Sequence, residues 1–146
     1  MESEHDFLKY WRIVRYWAKA KYEIGTADLD LILFLYSEKL FSEKDIARYE
    51  SLMSWNMYRF PTLLKDGDIV IWRKGKTKTK NLYALSHKSK RMVISIYKKL
   101  LLLESISVDY RKNPIFDDLI YNNNDKRYRR AIKDFNERVN NKEFKS

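Results

Sequence analysis

A mainly α-helical fold carrying one small β-hairpin is predicted by three features of this 146-residue sequence. Apolar side chains recur at helical spacing along most of the chain. The period changes once, at a short run of β-formers from Ile69 to Trp72, and Gly and Pro are scarce, at 3 and 2 residues. Apolar residues make up 45% of the chain and aromatics 15%, which is enough to bury a core. The length suits one domain, since domains cluster near about 100–150 residues, so a single domain over 1–146 is expected.

The elements follow in order. Residues 7–22 place apolar side chains at positions 7, 11, 14 and 18, widened by Tyr10, Ile13 and Trp17, the spacing of a helix with one buried side. Gly25 and Thr26 break and cap the chain. Residues 27–40 are then almost continuously apolar from Leu31 to Tyr36, predicting a buried central helix. Ser42 and Asp45 have capping-box spacing and open a short helix over 43–52. Ser54 is a second candidate cap, for a helix over 55–65 with Met57, Phe60 and Leu64 inward and Gly67 able to end it in a left-handed conformation. Pro61 cannot donate an N–H and clashes with the carbonyl four residues back unless it lies in the first turn. Either that helix is kinked, or it starts near Phe60 and residues 54–59 form the turn.

Residues 69–72 and 81–85 are two β-runs around a polar tip, 74–80, that contains Gly75. Ser86 can cap a longer helix with Met92, Ile96 and Leu100 in one row, joined by Val93, Tyr97 and Leu101, ending near Leu103. Residues 105–113 read as irregular, Asn113-Pro114 as a turn and 122–124 as a loop. A last helix from Asp125 shows Tyr128, Ile132, Phe135 and Val139 in a row and frays beyond Asn140.

Charge is distributed unevenly. Of the net +10, residues 1–68 contribute ten basic and twelve acidic side chains and residues 104–146 ten and eight. Residues 69–103 hold ten Lys and Arg and no acid, so the whole excess sits in 35 residues and a polyanion is the expected partner. The absence of Cys excludes disulfides, thiolate metal sites and cysteine nucleophiles, and fits a reducing compartment. No window is apolar enough to span a membrane and the first six residues are acidic rather than a basic leader, so a soluble, cytoplasmic protein is expected. His5 and His87 are the only histidines, and no nucleophile elbow, His-x-x-x-His or Gly-rich phosphate loop is present. Asp28 with Asp30, and Asp117 with Asp118, read as helix-start or loop charges. The expectation is a non-enzyme without metal or cofactor.

Long helix, short helix, turn, short helix, strand, basic tip, strand, long helix is the order of a winged helix-turn-helix, here over 27–103 and flanked by helices over 5–24 and 125–140. Such a fold places its second short helix in the major groove, about 12 Å wide, and its hairpin on the flanking backbone. The candidate double-stranded-DNA contacts are Ser54, Asn56, Tyr58, Arg59, Thr62 and Lys65 on the helix and its approach, with Arg73, Lys74, Lys76, Lys78 and Lys80 on the hairpin. Arg59 and Asn56 suit base reading, because Arg pairs bidentately with guanine and Asn with adenine. The lysines suit phosphates. Trp55 is assigned to the core. Lys88, Lys90 and Arg91 start the helix after the hairpin and either extend this face or are ordinary helix-surface charges.

Residues 29–103 resemble the DNA-binding core of the MarR family. The likeness rests on the apolar run LDLILFLY (29–36), the capped helix from Ser42, the string SWNMYRFPTLLKDG (54–67), the hairpin 69–85 and the helix start LSHKSK (85–90). YWRIVRYW (10–17), LDLILFLYSE (29–38) and the Asn-Pro-x-Phe at Asn113 are also similar to small MarR-like proteins of crAss-like and related tailed phages. The resemblance implies a transcriptional regulator that forms a homodimer through its terminal helices, here through Trp11, Trp17, Tyr128, Ile132 and Phe135. The hairpin departs from the family by carrying alternating Lys and Thr where an Asp-x-Arg usually stands, which favours phosphate contact over minor-groove reading. Two further readings remain open: a protein-interaction module of a virion or polymerase, and single-strand or RNA binding with Tyr58, Trp72 and Tyr83 as stacking platforms.

Overall fold

A computed structural model describes residues 7–53, 55–117 and 126–145. Among them lie six α-helices and one two-stranded antiparallel sheet: α1 (Phe7–Tyr22), α2 (Thr26–Leu35), α3 (Glu43–Glu50), α4 (Phe60–Lys65), β1 (Ile69–Arg73), β2 (Leu82–Leu85), α5 (His87–Leu100) and α6 (Lys126–Lys145). The chain is thus mainly helical with a small hairpin. Ser54, the expected loop at 122–124 and the helix start at Asp125 lie outside the described residues. Two compact units can be distinguished, Gly25–Val93 and Met1–Ile24 with Ile94–Ser146, and the division falls within α5.

In the first unit, α2 buries Leu29, Leu31, Ile32 and Leu35 completely, as a continuous apolar run requires. It ends at Leu35 and not at Leu40. A 3₁₀ turn (Tyr36–Glu38) and Lys39, with φ of +61°, reverse the chain so that Phe41 can extend and pair with Tyr83. Each backbone N–H of that pair donates to the other's carbonyl, at 3.0 and 2.8 Å. The capping box forms as expected: Asp45 N–H donates to Ser42 Oγ at 3.1 Å, and Ser42 N–H to the Asp45 carboxylate at 3.0 Å.

Of the two readings of the next helix, the later start is the one observed. Met57–Arg59 is a 3₁₀ turn, and α4 begins at Phe60 with Pro61 in its first turn, where no N–H is needed. This shifts the inward row. Phe60 and Leu63 are buried, while Met57 and Leu64 are only half-buried. Gly67, at φ +79°, closes the helix.

In the hairpin, Ile69 pairs with Leu85, Val70 with Ala84 and Ile71 with Tyr83, with an irregularity before Arg73 opposite Leu82. β2 lies between β1 and Phe41 and is buried at Tyr83, Ala84 and Leu85. β1 is the outer strand, and Val70, Ile71 and Trp72 are exposed. Ser86 caps α5 by accepting from Ser89 N–H at 3.1 Å.

In the second unit α1 packs on α6, Tyr10 edge-on to Phe135 at 5.2 Å and Tyr16 stacked on Tyr128 at 3.8 Å. The buried row of α1 is Tyr10, Val14, Trp17 and Ala18, all within the expected stripe, while Trp11 and Ile13 are only half-buried. Tyr97 on α5, placed in an inward row, is instead exposed. The irregular stretch after α5 is held by side-chain amides. Asn136 bonds both the N–H and the carbonyl of Ile106 at 2.8 Å, and Asn113 bonds the Ser107 carbonyl at 2.8 Å. α6 continues past the expected fray at Asn140 to Lys145, since no Gly or Pro stops it. Trp17, Ile132 and Phe135, expected to face a second copy, are buried within the single chain. Among the described residues no helix is long and apolar enough to cross a membrane.

Candidate nucleic-acid interface

The approach to α4 is built by a short acid–base network. α3 ends at Glu50, whose carboxylate accepts from Met57 N–H at 2.6 Å and so folds the turn between the two helices. Trp55 is buried, in keeping with its assignment to the core, and its indole N–H donates to Asp28 Oδ1 at 2.9 Å. Asp28, in the first turn of α2, is itself only 7% exposed. Its other oxygen takes Arg59 Nη2 at 2.7 Å, and Arg59 Nε points at Oδ1 at 3.5 Å. That hydrogen bond, and then the carboxylate's charge, holds the guanidinium above its usual range. Arg59, the candidate for pairing with guanine, does not stand free. It is instead tethered along one edge while about half its side chain remains in solvent.

The remaining helix candidates are placed as follows. Asn56 is exposed, and its Oδ1 accepts from Tyr58 N–H at 2.9 Å, so it caps the 3₁₀ turn. Tyr58 is 89% exposed, Lys65 is exposed and Thr62 is half-buried. Residues 56–65 therefore offer one continuous stretch with accessible polar groups. Phe60 meets Tyr83 edge-on at 4.9 Å, which ties α4 to the hairpin. Tyr83 is only 1% exposed and cannot act as the stacking platform that was expected of it.

The hairpin tip is shaped by two residues. Asn81 is nearly buried; its Oδ1 accepts from Gly75 N–H at 2.9 Å, and its Nδ2 donates to the Tyr83 hydroxyl at 3.4 Å. That hydroxyl donates to Glu43 at 3.5 Å. A Cβ on Gly75 would stand 2.5 Å from Lys80, so only glycine lets the two arms approach this closely. A 3₁₀ turn (Lys78–Lys80) completes the tip. Arg73 lies over Trp72 at 5.7 Å, and Lys74, Lys76, Lys78 and Lys80 are all exposed. Among the described residues none of these five makes an ion pair.

Lys88 behaves differently. It bonds Asp68 at 2.9 Å and the Asp66 carbonyl at 3.2 Å, stapling the turn after α4 to the start of α5. The residue that sequence reasoning missed is Asp28, read there as a helix-start charge. Comparison with protein-family models, with curated proteins and with solved structures finds no match for this chain. Among the described residues no three His, Asp or Glu side chains group closely enough to hold a metal ion.

Proposed function

We propose that the chain binds double-stranded DNA, using residues 27–103 as a winged helix-turn-helix of MarR-like design in a transcriptional regulator, one of the kind that tailed phages encode. In this reading α4 and its approach enter the major groove and the hairpin tip grips flanking phosphates. The observation that carries it is the tip. Four lysines on a loop closed by Asn81 and Gly75, with Arg73 at the end of β1, are exposed and make no ion pair among the described residues, where the release of condensed counterions from DNA can be collected.

With about four to six phosphates contacted, log K for a duplex falls against log salt with a slope of about −4 to −5. Fluorescence anisotropy across a salt series measures it, with single strands as competitors. Binding indifferent to salt, or a preference for single strands, overturns the reading. The family likeness adds a homodimer spanning half-sites about 34 Å apart, which sedimentation of the free chain tests. A protein partner is the second reading, favoured by the exposed Val70, Ile71 and Trp72 on the outer strand; nuclease-treated pull-downs separate it from the first.

A further inference from the structure

We propose that Asp28 is a positioning residue that fixes which edge of Arg59 is presented to a base, and so sets a guanine preference at one position of the bound duplex. The inference rests on the duplex-binding reading above. A guanidinium has five N–H donors in a rigid fork. Asp28 engages the Nε and Nη2 side of that fork, at 3.5 and 2.7 Å. The terminal edge, Nη1 with the second Nη2 hydrogen, is not taken by Asp28, and the side chain is 49% exposed. That edge also presents two parallel donors, which match guanine O6 and N7.

The carboxylate is well suited to the task. It accepts from the Trp55 indole at 2.9 Å and is buried in the first turn of a helix that also buries Leu29, Leu31, Ile32 and Leu35. Arg59 stands immediately before Phe60, at the N-terminal end of α4, where a recognition helix makes its base contacts. Untethered, a guanidinium on a three-carbon stem samples many rotamers and contacts phosphates as readily as bases. Tethered, it offers one edge in one direction.

The experiment is a random-duplex selection followed by anisotropy on the retained duplex and on versions altered at single base pairs. Wild type is expected to favour guanine at one position by about tenfold. D28N keeps Oδ1 as an acceptor for Trp55 but replaces the charged oxygen that takes Arg59 Nη2 with an amide NH2, which cannot accept. It is expected to cut that preference to about twofold, to leave the thermal midpoint nearly unchanged, and to hold or raise affinity for unrelated duplexes, since one anionic group is gone. R59K keeps the charge and the partner but lacks the second edge, so it loses the preference while binding and salt slope remain. It also serves if D28N folds poorly.

A preference that survives in R59K or in folded D28N overturns the proposal, as does a D28N variant that weakens every duplex equally. Salt-dependent duplex binding by wild type without any base preference overturns the proposal and leaves the duplex reading standing. Absence of duplex binding removes both.

Discussion

The hairpin tip and the second unit treat positive charge in opposite ways. At the tip, Lys74, Lys76, Lys78 and Lys80 stand in water and, among the described residues, make no ion pair. In the second unit Lys99 is 2% exposed, sits 3.8 Å from the centroid of the Trp17 ring, and bonds Ser95 at 2.8 Å and the Glu104 carboxylate. Burial pulls the Lys99 ammonium below its usual range against the pull of Glu104. A buried, partnered cation serves the fold, and an exposed, unpartnered one has no fold to serve. The difference teaches that charge count alone does not locate a binding surface; what matters is whether the protein has already used the charge.

Four variants break or sharpen that contrast. Trp17→Ala should have the largest effect, about 4 kcal/mol of stability by denaturant unfolding, because it removes a buried indole and the ring beneath Lys99. Duplex affinity of the folded fraction should not change. Neutralising all four tip lysines to Gln reverses the pattern: duplex affinity should drop about 100-fold at moderate salt and the salt slope shrink by about three, with the thermal midpoint unmoved. A stability loss there would mean that the tip lysines hold the hairpin.

Lys88→Gln lies between the two classes. Its partners Asp68 and the Asp66 carbonyl predict a cost of about 0.5–1 kcal/mol and little change in binding. The smallest effect is one of pH. Burial raises the Glu104 carboxyl, but hydrogen bonds from Lys99 and Ser95 outweigh it and hold the group below its usual 4.5. The stability this gives is therefore present above pH 4.5 and is lost as the pH falls through the lower folded value. Glu104→Gln should flatten that acid limb in a thermal-melt series.

Local rules made much of the fold legible. Ser42 and Asp45 form their box because both partners lie within one turn, and Pro61 narrows the next helix to a kink or a start near Phe60, of which the structure has the second. The end of α2 was not legible, since it is set by Phe41 reaching Tyr83, 42 positions away. The inward face of α1 was legible but its margin was not, since Trp11 and Trp17 are equally apolar and only packing leaves Trp11 half-buried. Among site residues, exposure of the tip lysines could be read from their run, whereas the Arg59 tether could not. Its acceptor lies 31 positions upstream and Trp55's lies 27, separations at which one unaligned sequence carries no pairing signal.

Asn81 has a consequence for how any partner is met. One amide joins Gly75 on the outgoing arm to the Tyr83 hydroxyl beneath the returning one, and that hydroxyl reaches Glu43 at the start of α3. The loop's main chain is therefore set before contact, and only the lysine stems have freedom left to surrender. An encounter at this end of the molecule should be quick and undiscriminating, leaving selectivity to the slower fit of the helix beside it.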